Sequence, residues 1–378
     1  MIPEKKVVFG LLCLGCVTIS FNVAALIAAI PLIGQDLDLL DINVARIIPF
    51  YMIPYGLGAL IYAPLTRYYS YRRLLLTSMA FYSLAALFCA QTTLIDYMLL
   101  GRVFMGISGA GAIPIGLMLI GQLYSGHIRG RLVGLFFGCS FWAGVGGVLV
   151  GGMFHWRWLF YIPSILGFLF VLSLLLINNK FLDIINKIHI NYIICLNNIK
   201  IRNISIFIAI LSALYHSVHK WFGIYLFRFY SLGKAQISYI FILMAVGGFI
   251  GQILGGYISD KKDRIITCYV GLCCLAITTM FLYFPFNRLV VTGLLFGISM
   301  SWTIGHNGIS TVLTDFSAEQ RPVIASLNSS VRFIAGGLGL WMSRLFIEKN
   351  FNLTFLVVGG CMLALVFSIQ PLLVKSKY

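Results

Sequence analysis

The chain has 378 residues, 60% hydrophobic and 10% charged, with 38 Gly, 30 Phe and a formal net charge of +16. Soluble domains carry about 25% charged residues, so too few polar side chains are present to cover a water-facing surface of this size. The cations lie in short stretches between apolar runs rather than on one basic domain, which excludes a nucleic-acid partner and points to membrane topology and anionic lipid.

A bilayer-spanning helix needs roughly 20 apolar residues. Twelve segments meet that rule: 7–33, 44–64, 74–91, 97–122, 132–153 and 159–177, then 204–226, 237–258, 265–284, 289–313, 323–346 and 353–373. The first follows Lys5 and Lys6 but is too long for a signal-peptide core and lacks a small-residue cleavage site, so it is predicted to span. The nine Cys lie mostly in apolar runs, including Cys13 and Cys16 in C-x-x-C spacing and adjacent Cys273 and Cys274. They are expected to be packing residues, with no cofactor. With the N-terminus inside, 17 of the 27 Lys and Arg fall on the cytoplasmic side and 8 outside, leaving Arg102 and Arg332 within helices. That bias predicts both termini in the cytoplasm of a cell with the chain in its inner (plasma) membrane. The longest connection contains "FLDIINKIHINYIICL" and predicts a short helix on the inner membrane surface. The expected organisation is therefore a six-helix bundle at 1–177, a cytoplasmic linker at 178–203 and a second six-helix bundle at 204–378.

The halves resemble each other. "RVFMGIS" from Arg102 is matched by "GLLFGIS" from Gly293, and "YAPLTRYYSYRR" by "GGYISDKKDRI", with Arg67 answered by Asp260 at nearly the same displacement. Parallel six-helix repeats at near-constant displacement fit an all-α integral membrane protein of two pseudo-symmetric bundles.

Four stretches carry a family resemblance. "GGYISDKKDR" resembles the loop signature G-x-L-x-D-R-x-G-R-R of the major facilitator superfamily, with Asp260 and Arg264 at matching positions. "GRVFMGISGAG" resembles its fourth-helix motif R-x-x-Q-G-x-G-A through Arg102 and Gly106, with Met105 in place of Gln. "GVLVGGMFHWRWLF" resembles the fifth-helix antiporter motif of the efflux branch, with Val148 in place of Pro and Gly147, Gly151 and Gly152 kept. The fourth stretch, the first-half loop with Arg72 and Arg73, is a degraded copy in which Arg67 stands at the Asp position and Ser70 at a Gly. The resemblance implies a twelve-helix transporter whose first, fourth, seventh and tenth helices line the pathway. It also implies that these loops act in the conformational switch, where an acid at the position of Arg67 would cap the eleventh helix. An arginine suits the positive end of a helix dipole poorly, so Arg67 either pairs with Asp315 or Glu319 or is solvated at the interface.

Candidate pathway residues fall on all four of those helices. An arginine inside a membrane helix costs about 2.5–3.5 kcal/mol and needs a partner or water, so Arg102 either lines the pathway or snorkels to the headgroups. None of the eleven Asp and Glu falls in mid-membrane; Asp36 either faces Arg102 or is solvated. Histidine titrates near neutrality instead. His216, His219 and Lys220 share a helical face, and Trp302 and His306 another beside Asn307, while Asn22 is the polar residue near the middle of the first segment. Phe21, Trp142, Trp221 and Trp302 offer aromatic surface for an amphipathic or aromatic substrate. The two histidines either face the pathway or make interhelical hydrogen bonds, Lys220 marks the interface in the simpler reading, and no metal is expected. The glycine runs, including Gly106, Gly147, Gly151 and Gly152, are expected to let helices approach closely. No phosphate-binding loop is present. The expected function is secondary transport of a small organic molecule by a monomer in the lipid bilayer, as proton-coupled efflux and not as an enzyme. The alternatives are uptake or facilitated diffusion of a metabolite, and a non-transporting sensor or assembly subunit.

Overall fold

The computed structural model describes residues 3–124, 126–185, 191–261, 264–314 and 321–370. It divides into two compact units, Met1–Ile190 and Asn191–Tyr378.

In the first unit, the first segment is two helices, α1 (Pro3–Ser20) and α2 (Ala25–Leu37), separated by a turn around Asn22. A short α3 (Asp41–Val44) and a 3-10 turn (Ala45–Ile47) lead into α4 (Pro49–Leu65), whose proline at the first turn lacks an N–H the helix could not use there. α5 (Tyr71–Gln91) starts earlier than hydropathy indicates because the Ser70 hydroxyl accepts from the Arg73 N–H. The fourth segment is again broken, into α6 (Ile95–Gly109) and α7 (Ala112–Leu123), and α8 (Gly126–Met153) and α9 (Trp158–Leu176) follow.

In the second unit, α10 (Tyr192–Asn197) precedes a third broken segment, α11 (Ile199–His219) and α12 (Phe222–Tyr230). The rest are continuous: α13 (Lys234–Lys261), α14 (Arg264–Phe281), α15 (Arg288–Thr314), α16 (Arg321–Ile347) and α17 (Phe351–Val366). Eleven of the described segments are long and apolar enough to cross a membrane, and the twelfth, α17, is a shorter apolar helix.

Among the described residues of the stretch between the bundles before Ile199, only Tyr192–Asn197 is helical. Asn198 caps Lys200 N, so the seventh segment begins at Ile199, and α10 has six residues. Residues 178–185 instead bind the first unit: Tyr71 N and Arg72 N donate to Ile184 O and Leu182 O. Arg72 Nη1 donates to Leu174 O (2.6 Å) and Ile177 O (2.7 Å). Its Nη2 reaches Asn179 O (3.3 Å), and its Nε reaches Asp183 (2.8 Å). Of these acceptors, the carbonyls of Leu174 and Ile177 are the ones that the end of α9 leaves without a helical N–H.

The pairings within each unit repeat. α4 packs on α6, α5 on α6 and α9, and α1 and α2 on α8; correspondingly α13 packs on α15, α14 on α15 and α17, and α11 on α16. Individual contacts repeat as well. Ser20 and Ser140 share a hydrogen bond (2.6 Å), and at the corresponding positions of the second unit Ser212 Oγ donates to Arg332 O (2.7 Å). A Cβ on Gly147 would strike the Phe21 carbonyl, and one on its counterpart Gly339 would strike the Ala213 carbonyl. Both are backbone-to-backbone approaches that only glycine permits.

Candidate functional site

In the first unit the site is built around Arg102. It sits on α6, is 1% exposed, and does not snorkel. Its Nε donates to Ile47 O (3.0 Å), and its guanidinium lies 4.2 Å from the centre of the Tyr51 ring and 6.0 Å from that of Phe160. It makes no ion pair among the described residues, so ring and carbonyl replace the carboxylate that a buried guanidinium ordinarily takes. The 3-10 turn before α4 sets Ile47 O in place, and Gly106 lets α6 close on the Tyr51 carbonyl. Asn22 is wholly buried at the turn between α1 and α2, and neither atom of its amide has a hydrogen-bond partner among the described residues.

Asp36 does not face Arg102. It accepts from Trp156 Nε1 (3.0 Å), pairs with Arg157 (3.6 Å) and lies 3.5 Å from His155. The "HWR" stretch after α8 therefore folds back on the end of α2. In the second unit the equivalent contact is the Arg228–Glu348 pair (3.6 Å), in which Arg228 answers Asp36 and Glu348 answers Trp156, with acid and donor exchanged.

The second unit brings α11, α15 and α16 together in one polar and aromatic cluster. Tyr215 stacks on Trp302 (3.8 Å, 5°) and on His219 (4.8 Å, 25°), and Trp302 lies 5.7 Å from the His306 ring. Arg332 Nη1 lies 2.8 Å from His306 Nε2, Ser310 Oγ lies 3.4 Å from the same nitrogen, and Asn328 Nδ2 donates to Ser310. Arginine has only donors, so Nε2 is the acceptor and the imidazole proton sits on Nδ1. His216, His219, Trp302, His306, Asn328 and Arg332 are half-buried, whereas Lys220 is 7% exposed. The Nδ1 atoms of His216 and His219 are buried without a hydrogen-bond partner among the described residues.

The other candidates lie apart from these clusters. Asn307 Nδ2 donates to Gln252 O (3.3 Å) and so joins α15 to α13. Trp221 donates to Ser343 and is buried, and Trp142 is 69% exposed. Gly151 faces the Leu159 side chain and Gly152 is buried, whereas Gly134 and Gly138 have nothing within 4 Å. Of the switch loops, Arg72 binds the carbonyls described above, and Arg67, Arg73 and Arg264 are exposed. Asp315 and Glu319 lie outside the described residues, as does the side chain of Asp260. The spacing of His216, His219 and Lys220 exposed one face of the cluster in advance. Tyr215 and Arg332 escaped it: a tyrosine in an apolar run carries no signal, and the partner of Arg332 lies 26 residues away on another helix.

Two six-helix units with matching pairings and matching contacts at one constant displacement are the architecture of a two-bundle transporter. A sequence model of the Major Facilitator Superfamily matches residues 12–340. The chain belongs to the major facilitator superfamily. This superfamily member is 29% identical over 167 residues to multidrug resistance protein 3 of Bacillus subtilis, a match covering 43% of the chain and 32% of that protein. It is 24% identical over 314 residues to an uncharacterized MFS-type transporter of Bacillus subtilis, covering 79% of the chain and 76% of that protein. Among solved structures, a bacterial homolog of the human lysosomal transporter Spinster is similar with a TM-score of 0.80 at 15% identity, covering 100% of this chain and 99% of that one. A D-xylose–proton symporter is similar with a TM-score of 0.74 at 13% identity, covering 99% of each chain. At such identities the likeness is one of fold alone. The protein is a multi-pass membrane protein of this superfamily.

Proposed function

We propose that the protein is a secondary active transporter that exports a small organic molecule by alternating access, coupled to protons, from a plasma membrane with both chain termini in the cytoplasm. The observation that carries the coupling is the Arg332–His306 contact (2.8 Å). Nε2 of His306 is an acceptor in this arrangement. A proton placed there turns it into a donor aimed at a cation, so proton uptake requires the guanidinium to leave. His216 lies beside His219 and Trp302, and so in the same cluster as His306 and Arg332. Proton arrival and side-chain rearrangement are thereby one event, which is what coupling requires. Export is supported by the likeness to a multidrug resistance protein and by the fifth-helix stretch around Gly147, Gly151 and Gly152.

Facilitated diffusion or uptake is the second reading. It is favoured by the position of the acids in the described spans: Glu4, Asp36, Asp41 and Asp96 all stand close to a span end. Counterflow in proteoliposomes over a panel of radiolabelled organic molecules, with and without an imposed pH gradient, separates the two. Export coupled through His306 requires a response to the gradient that His306→Ala removes while gradient-independent counterflow persists. An unchanged response in His306→Ala refutes the coupling.

A further inference from the structure

The second-unit cluster gathers cations and imidazoles on three helices. His216 and His219 come from α11 and Lys220 from the residue that caps its end, His306 from α15 and Arg332 from α16. Lys220 is 7% exposed, makes no side-chain hydrogen bond or ion pair among the described residues, and lies within electrostatic reach of Arg332. A buried ammonium with no counter-charge is unfavourable by itself, and an anion beside it relieves that charge. The buried Nδ1 atoms of His216 and His219, which lack partners among the described residues, add two polar positions at the same place. The planar rings of His219, Tyr215, Trp302 and His306 follow one another between α11 and α15 and end at the guanidinium of Arg332.

From this juxtaposition we infer that the transported molecule is a planar organic anion. Its anionic group lies between Lys220 and Arg332, and its ring meets the edge of the half-buried Trp302 ring, since Tyr215 is covered on its two faces by Trp302 and His219. Lys220 supplies the point charge, Arg332 a flat fork suited to a carboxylate, and Trp302 an edge at which an aromatic ring is held without hydrogen bonds. The inference rests on the transport reading above and names the substrate class of that site.

The test uses three probes of one shape and different charge: naphthalene-2-carboxylate, 2-naphthamide and 2-naphthylmethylammonium. Binding is followed by thermal shift and tryptophan fluorescence on the full chain in phosphatidylcholine nanodiscs, which supply no anionic headgroup. The carboxylate is expected to bind at least about ten-fold more tightly than either other probe, equivalent to one decade in Kd. Lys220→Met should abolish that preference, Lys220→Arg should keep it, and Trp302→Leu should weaken all three probes together. Equal binding of the amide or the ammonium, no binding by any probe, or an intact preference in a folded Lys220→Met overturns the inference. If Lys220→Met does not fold, loss of the preference in Lys220→Arg overturns it. Counterflow of the same carboxylate separates this inference from the transport reading. Selective binding without counterflow leaves the anion site standing and removes transport, and counterflow with no charge preference does the reverse.

Discussion

Arg72→Ala is expected to loosen the first unit far more than Asp183→Asn, although Arg72 and Asp183 form an ion pair at 2.8 Å. The side chain of Arg72 is 17% exposed and that of Asp183 50% exposed, so the ion pair itself contributes no more than about 1 kcal/mol. The carbonyls of Leu174 and Ile177, at 2.6 and 2.7 Å, are different, because no helical N–H remains to take them. A hydrogen bond from a charged donor contributes about 1.5–3 kcal/mol. Two short ones, discounted for partial exposure, come to about 3 kcal/mol. For a unit of this size each kcal/mol moves Tm by about 2–4 °C, so Arg72→Ala should lower it by about 6–12 °C and Asp183→Asn by no more than about 4 °C. The assay is thermal unfolding in detergent with a thiol-reactive dye, for which the buried thiols of Cys16 and Cys89 report on this unit. Arg72→Lys should fall between the two, since one ammonium cannot span carbonyls on both residues. Equal losses in Arg72→Ala and Asp183→Asn would refute the reasoning, as would a loss below about 1 kcal/mol in Arg72→Ala.

Two further outcomes follow from the repeated contacts. Gly147→Ala and Gly339→Ala should each cost about 1–3 kcal/mol through overpacking against a backbone carbonyl, whereas Gly134→Ala and Gly138→Ala, inside α8 with open space around them, should each stabilise by about 0.5–1 kcal/mol and raise Tm slightly in the same assay. Asp36→Asn keeps an acceptor for Trp156 but loses the charge facing Arg157, so it should shift stability by about 1 kcal/mol or less, while Trp156→Phe should reduce it further by leaving the carboxylate short of a donor.

Hydropathy alone located the twelve segments, because a bilayer demands long apolar runs and tolerates few alternatives. It passed over the breaks at Asn22, at Gly111 and after Lys220. None contains a proline, and a window of about 20 residues averages across a turn of a few residues. The repeat was visible as two sequence matches at nearly one displacement, since glycines that permit close approach cannot be replaced without moving a helix. Partners were harder. Asp36 and Trp156 are 120 residues apart, and composition ranks Arg102 as the more attractive cation for Asp36. Only the packing of α2 on α8 decides between them. Arg332 stood out as a charge within a helix, but what gives it a role is the imidazole of His306, which the sequence places on a different helix.

The constant displacement between the two sets of contacts also bears on biosynthesis. Ser20–Ser140, Gly147 on Phe21, Trp156–Asp36 and the Arg72 contacts all close inside Met1–Ile190, and the counterparts of the first three all close within Asn191–Tyr378. Domains assemble as units, with the N-terminal one first during synthesis. The first bundle can therefore close every one of these contacts without any residue of the second, and the second repeats the same programme from its own residues.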